Sequence, residues 1–193
     1  MKRIVVAGIL GGMTVFVWGW LSHAVLPLGT VGIKNLPNED AVTGTLRVAI
    51  RDPGLYFFPG MLQAPGMTKA QKAAIEELWT KRLREGPSGI LIYTPGGKEA
   101  MSLAQLAAEL IADVLGAGVA AILLSMAAGA LGSFAGRLLF VTLLGLFASL
   151  AIDLSYWIWY GFPGSFTAAA LVDQVLSWFF AGLVLARIVK QAS

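Results

Sequence analysis

Four long apolar stretches constrain this chain more than any other feature of its sequence. They cover residues 4–22, 103–128, 138–160 and 166–186. A helix needs about 20 mostly apolar residues to cross the hydrocarbon core of a bilayer. Hydrophobic residues make up 57% of the chain and charged residues only 13%, whereas an average soluble domain has about 25% charged residues. We therefore predict an all-α membrane protein with four transmembrane helices, in contact with the lipid bilayer.

A polar segment, residues 23–102, separates the first transmembrane helix (residues 1–22) from a three-helix region (residues 103–193). This segment is polar enough to fold in water, and we predict a small α+β insertion outside the cytoplasm. Its first helix opens at LPNEDAV (residues 36–42), where Asn38 is a suitable N-cap residue. The apolar residues that follow recur at the helical spacing and predict one apolar face: Val42, Leu46 and Ile50.

The second helix of the insertion covers residues 69–84, and Thr68 caps its start. Three residues are predicted on or near its buried side: Ala73, Leu78 and Trp79. Two short apolar runs bounded by glycine and proline, residues 55–58 and 90–93, are typical of strands. We expect them to pair as a two-stranded sheet, which is marginally stable by itself. Ser102 and Gln105 form a capping box that begins the second transmembrane helix.

The basic residues predict the orientation in the membrane. Five of them lie on one side of the predicted spans, and no acid accompanies them: Lys2, Arg3, Arg137, Arg187 and Lys190. Cytoplasmic loops are enriched in lysine and arginine. Both termini and the turn at residues 129–137 are therefore expected in the cytoplasm, and residues 23–102 are expected in the periplasm. Alternatively, Met1–Arg3 and Ser22–Ala24 resemble the ends of a cleaved signal peptide, but the apolar run is longer than such peptides usually have.

Glycines on the first span predict close helix packing. Gly8 and Gly12 form a GxxxG pattern, which lets another helix approach closely. Gly19 continues roughly the same stripe. The alternative is that glycine is simply common in membrane helices. Aromatic residues near the outer ends of spans one and three, Trp18 and Trp20 among them, are typical of an interfacial belt.

Four carboxylates lie within the predicted spans, where charged groups are costly and are usually paired or functional. They are Glu109, Asp113, Asp153 and Asp173, and His23 lies at the outer end of span one. Gln174 and Ser177 extend the polar face of span four. We expect Asp153 and Asp173 to face each other, with Glu109 or Asp113 nearby. The cluster is interpreted as structural, as a site for an ion or protons, or as a contact with another subunit.

Motifs of known chemistry are absent from the sequence. It has no cysteine and one histidine, and it contains no serine-hydrolase elbow, no zinc-binding HExxH and no phosphate-binding glycine loop. The small net charge of +3 is spread along the chain and does not indicate a nucleic-acid-binding face. We therefore expect no catalytic residues, no cofactor, no metal, no nucleotide and no nucleic acid.

Four segments resemble a family of small bacterial four-span membrane proteins of uncharacterised function. They are residues 11–29, 32–42, 53–60 and 156–163. The resemblance implies a bacterial inner membrane and carries no activity. The first hypothesis is a non-catalytic subunit or assembly factor of a larger membrane complex, of respiratory or photosynthetic type, that associates with partner subunits or with itself. The alternatives are a small ion- or proton-handling protein and a lipid-acting membrane enzyme.

Overall fold

The computed structural model describes residues 1–61 and 65–190. The last three residues of the predicted 103–193 region lie outside the described residues. The chain divides into two compact units: residues 1–34 together with the chain from residue 100 onward, and residues 35–99. The boundaries predicted from the sequence, residues 23 and 102, lie outside those of the second unit because the turns next to the long helices pack with the helices.

The first unit is built from four long apolar helices that could span a membrane, which confirms the prediction of four such helices. These helices are α1 (Lys2–Trp20), α4 (Leu103–Ala127), α5 (Phe134–Tyr160) and α6 (Gly164–Ile188). Each has the length and composition to cross a membrane, and the apolar run of α1 continues to Val25. Ser102 and Gln105 form the predicted capping box at the start of α4. Gly161 ends α5 in the left-handed conformation, as glycine commonly does after a helix.

The helices are ordered α4–α1–α6–α5, because α1 packs on α4 and α6, and α6 packs on α5. Neighbouring helices in this order are antiparallel. We call the end at Trp20 and Leu103 the upper end of the unit, and the end at Lys2 and Ala127 the lower end. The apolar core lies toward the lower end, where all four helices meet. Its fully buried members include Ala7, Leu124, Val141 and Leu185.

Arg137 corrects one part of the sequence analysis. It was placed in the turn between spans two and three, but α5 begins at Phe134, so Arg137 lies in its first turn. The side chain is 7% exposed. Its guanidinium donates hydrogen bonds to the carbonyl oxygens of Ala186, Leu131 and Gly132 at 3.0–3.2 Å. Arg137 therefore joins the start of α5 to the end of α6 and to the turn between α4 and α5 instead of standing free in a loop.

The second unit contains α2 (Glu39–Ala49), β1 (Gly54–Phe58), α3 (Lys69–Glu85) and β2 (Gly89–Tyr93). The two strands pair antiparallel, as the sequence predicts, with Leu55 opposite Ile92. Thr68 caps α3 in a capping box with Gln71. The indole N–H of Trp79 donates to the carbonyl oxygen of Pro59 at 2.8 Å and ties α3 to the end of β1.

Two details of the predicted helices are wrong. Asn38 precedes α2 in the left-handed conformation, and its side chain makes no capping hydrogen bond. On α3, Leu78 is 57% exposed and Ala73 is also exposed, although Trp79 is partly buried as predicted. The partly buried face of α3 instead follows Ile75, Trp79 and Leu83. This face keeps the helical spacing, and it shares only Trp79 with the predicted stripe.

Candidate functional site: a carboxylate-lined cavity and an apolar sheet face

A cavity of about 580 Å³ opens among α1, α4 and α6 in the upper half of the first unit. Four of the residues singled out from the sequence line it: His23, Glu109, Asp113 and Asp173. The polar residues Gln174 and Ser177 complete the lining on α6. Small-molecule sites commonly occupy about 300–1,000 Å³, so the cavity has the dimensions of a ligand site.

Asp173 is held by α1. The indole N–H of Trp18 donates a hydrogen bond of 2.8 Å to Oδ1 of Asp173. The Trp18 ring also packs on Phe180, with ring centroids 4.8 Å apart. The sequence pattern predicts an interfacial belt position for Trp18 and does not indicate this bond. The i, i+4 spacing of Ser22 and Trp18 on the polar side of α1 was the available signal.

His23 lies in a widened turn that follows α1. The backbone N–H of Leu26 donates to the carbonyl oxygen of Leu21, five residues earlier, and such π-type turns are frequent at functional sites. The Nδ1 atom of His23 lies 2.8 Å from Oγ of Ser22 and 3.1 Å from the carbonyl oxygen of Gly19. It lies 3.9 Å from Oδ2 of Asp173. His23 is thus held beside Asp173 at the outer limit of an ion pair.

The carboxylates on α4 have no partners. Glu109 and Asp113 are one turn apart on α4, and among residues 1–61 and 65–190 neither takes part in a hydrogen bond or an ion pair. Glu109 is exposed and Asp113 is partly buried. The part of the chain that the structure describes places no lysine or arginine in the cavity lining. The cavity therefore presents acidic groups that the described side chains leave uncompensated, apart from His23.

Asp153 stands apart from this group. Its Oδ2 accepts a 2.5 Å hydrogen bond from Oγ of Ser149, one turn earlier on α5. Asp153 does not line the cavity, and within the described residues no hydrogen bond or ion pair joins it to Asp173. The arrangement brings Asp173 next to Trp18 and His23, both of them on the α1 side.

Trp178 lies at the level of the lower boundary of the cavity. A Cβ atom on Gly145 of α5 would lie 2.7 Å from Cβ of Trp178, and one on Gly116 of α4 would lie 3.7 Å from its ring. Ser177 precedes Trp178, lines the cavity and is 6% exposed. Its hydroxyl group makes no hydrogen bond among the described residues. The largely buried residue Ser177 thus presents an unpartnered hydroxyl group to the acid-lined space.

Glycines on α1 differ in how closely they approach α4. A Cβ atom on Gly8 would lie 2.9 Å from Cα of Gly118, and one on Gly12 would overlap the backbone of Val114. Gly11, which the pattern did not single out, faces Leu185 and Ala117. A Cβ on Gly19 would meet no atom within 4 Å. The close contact between α1 and α4 therefore runs along the lower half of α1 and ends before Gly19.

The second unit exposes an apolar sheet face. Alternate residues of a strand share one face of a sheet, so the register places four apolar residues together: Leu55, Phe57, Ile90 and Ile92. Ile92 is 81% exposed and Leu55 is 70% exposed. Among the described residues of 35–99, Pro59 alone is fully buried. This unit has no apolar core of its own within those residues.

The described residues form no group that could hold a metal ion. In these residues, no three His, Asp or Glu side chains come close enough to hold a metal ion. Comparison with protein-family models, curated proteins and solved structures finds no match to this chain. The four similar segments therefore stay a resemblance, and the function is argued from the site itself.

Proposed function

We propose that this chain is a non-catalytic integral subunit or assembly factor of a larger bacterial membrane complex. The apolar sheet face (Leu55, Phe57, Ile90 and Ile92) is the single observation that carries the proposal. A two-stranded sheet is marginal in water unless its apolar face is covered, and exposed apolar patches of this kind mark interaction sites. The face is paired across the two strands and uncovered on one side. A partner that covers it would complete the unit.

The chemistry of the unit favours a protein partner over the lipid surface. Residues 35–99 carry eight lysines and arginines and seven aspartates and glutamates, so the unit lacks the basic excess that draws segments to anionic lipids. Its tyrosines, Tyr56 and Tyr93, lie on the opposite face of the sheet. Tyrosine and tryptophan are the residues that anchor proteins at a bilayer interface. The exposed face carries only aliphatic and phenyl groups, and the core of a protein interface is likewise apolar and depleted of charged residues.

The proposed location is the bacterial inner membrane, with both termini in the cytoplasm and residues 23–102 in the periplasm. The basic residues at Lys2, Arg3, Arg187 and Lys190 support this orientation through the positive-inside rule. Arg137 lies at the same end of the helices, but its bonds to backbone carbonyls give it a packing role as well.

The experiment that tests this function places a photo-crosslinking amino acid at Ile92 of the full chain in its native membrane. The same probe at Val48, which is 83% exposed on α2, is the matched control. We expect a discrete crosslinked product from position 92 and none from position 48. The double substitution Leu55→Asp and Ile92→Asp should remove the partner from the protein purified in mild detergent, while Val48→Asp should retain it.

Three results would contradict the proposal. Crosslinks from position 92 to lipid alone would assign the sheet face to the membrane surface. A product with the mass of two copies of this chain, and nothing else, would assign it to self-association. Co-purification of the same partner with the double aspartate variant would show that the partner does not need this face.

A further inference from the structure

The carboxylate-lined cavity has a feature that a purely structural acid cluster lacks. Ser177 is 6% exposed, lines the cavity and has no hydrogen-bond partner among the described residues. Most polar side chains of buried residues in native proteins have a hydrogen-bond partner. In the described part of the chain, the side-chain atom that is fully enclosed and has no partner is the hydroxyl oxygen of Tyr93. The Ser177 hydroxyl group differs from it because it opens to the cavity. This hydroxyl group is available to a ligand.

The charge of the cavity selects a cation. Glu109, Asp113 and Asp173 line it, and His23 is the one basic side chain among its described lining residues. Unpaired carboxylates within a membrane span are costly, and the described residues supply no lysine or arginine to compensate for them. A cationic ligand in the cavity would offset that cost.

The size and walls of the cavity select an organic cation over a bare metal ion. Metal ions need several oxygen ligands at about 2.0–2.6 Å, and the described side chains form no group that could hold one. The volume is about 580 Å³, which suits a small organic molecule. Phe16, Trp18 and Trp20 contribute aromatic groups to the lining, and aromatic faces attract organic cations.

We propose that the cavity binds a protonated organic amine with an apolar or aromatic body. The ammonium group donates hydrogen bonds to the carboxylate of Asp113 and to the hydroxyl oxygen of Ser177, the deeper polar groups of the two facing helices. The body lies against Phe16 and Trp20 toward the upper end. Asp173 is already held by Trp18 at 2.8 Å and contributes negative charge without having to move. This binding site involves none of the residues of the apolar sheet face and goes beyond the proposed subunit role.

The test is ligand titration of the full chain in lipid nanodiscs, followed by tryptophan fluorescence and calorimetry. The probes are 2-phenylethylamine, its neutral analogue 2-phenylethanol, and benzyltrimethylammonium, which has the charge but no N–H group. We expect saturable binding of 2-phenylethylamine and binding of the alcohol that is weaker by about tenfold or more, because the alcohol leaves the carboxylate unpaired. The affinity for benzyltrimethylammonium should lie between those for the amine and the alcohol, because this cation keeps the charge but has no N–H group to donate to Ser177.

Variants locate the site. Asp113→Asn should lower the affinity for 2-phenylethylamine about tenfold. Ser177→Ala should lower that affinity severalfold and leave the affinity for benzyltrimethylammonium unchanged. Asp153→Asn is the matched control, since Asp153 does not line the cavity, and it should bind the amine as the native chain does. Equal affinity for the amine and the alcohol in the native chain would overturn the proposal even if the Asp113 variant fails to fold. The proposal would also be overturned if sodium or potassium ions gave a saturable change in tryptophan fluorescence or heat and neither organic cation did.

Discussion

The indole N–H of Trp18 donates a 2.8 Å hydrogen bond to Oδ1 of Asp173 and so joins α1 to α6 inside the membrane-embedded unit. A charge in a membrane span is stable only where polar groups meet it. The bond fixes the position of one acid in the cavity, and it leaves Oδ2 of Asp173 toward His23, 3.9 Å away. Glu109 and Asp113 have no such bond. The carboxylates of the cavity are therefore of two kinds, one anchored by an aromatic donor and two free to meet a ligand.

Replacing Trp18→Phe should destabilise the protein. The phenyl ring keeps part of the packing on Phe180 but cannot donate to Asp173, which leaves a carboxylate oxygen without its partner. Such a loss costs about 1–3 kcal/mol. The loss should appear as a lower midpoint of thermal unfolding in detergent. Trp20→Phe is the control, because Trp20 is 59% exposed and makes no hydrogen bond among the described residues. Equal midpoints for the two variants would contradict the role given to Trp18.

Gly12→Ala should disrupt the contact between α1 and α4. A Cβ atom there would overlap the backbone of Val114, and a backbone cannot yield as a flexible side chain can. Overpacking of this kind costs about 1–3 kcal/mol. Gly19→Ala makes the same chemical change where no atom lies within 4 Å, and its unfolding midpoint should match that of the native chain or exceed it slightly. A Gly12→Ala variant as stable as Gly19→Ala would refute the close contact.

The sequence predicted the long helices well because apolar length is a property of the chain alone. Each of the four helices ends within about four residues of its predicted bounds, and the two strands are offset by one residue. It could not predict which acids share a cavity. Depth in the membrane follows from position along the chain, but the order of the helices is set by contacts such as those of Gly12 and Gly145. That order places Asp173 beside Trp18 of α1, a neighbour that equal depth along the chain did not predict.

The second unit shows the same limit at a smaller scale. The helical spacing on α3 predicted an apolar stripe that includes Trp79, yet Ala73 and Leu78 are exposed. In a unit without an apolar core, few contacts decide which side of a helix faces inward. The bond from Trp79 to Pro59 holds one side of α3 against the end of β1. A sequence pattern carries no signal for such a bond.

Tyr93→Phe should leave the stability unchanged or raise it by about 1 kcal/mol. The hydroxyl group of Tyr93 is enclosed and has no partner among the described residues, so the substitution removes an uncompensated polar group. Tyr56→Phe is the control on the paired strand, since its hydroxyl group donates to the carbonyl oxygen of Asp52 at 2.9 Å. Hydrogen exchange of the strand amides should therefore slow or stay constant in the first variant and quicken in the second. The reverse order would show that Tyr93 has a partner in the native protein.

The proposed orientation predicts where an impermeant thiol reagent reacts. The chain has no cysteine, so Ala70→Cys on α3 and Lys190→Cys near the C-terminus each introduce one reactive site. Cells with a permeabilised outer membrane should be labelled at position 70 and not at position 190. Opening the inner membrane should add labelling at position 190. Labelling at position 70 only after the inner membrane is opened would reverse the topology.

Arg137→Met should be among the most destabilising single changes in the first unit. The guanidinium is 7% exposed and donates to carbonyl oxygens of Leu131, Gly132 and Ala186. Methionine keeps much of the volume but leaves all three acceptors without this donor. Bonds from charged groups contribute about 1.5–3 kcal/mol each. The unfolding midpoint should therefore fall well below that of Lys190→Met, an exposed cation near the same end. Arg137→Lys should recover only part of the loss, because an ammonium group lacks the planar fork that reaches carbonyls of both the turn and α6. If the lysine and methionine variants unfold together with the native chain, Arg137 serves only as a topology signal, and its bonds to the turn and to α6 do not stabilise the fold.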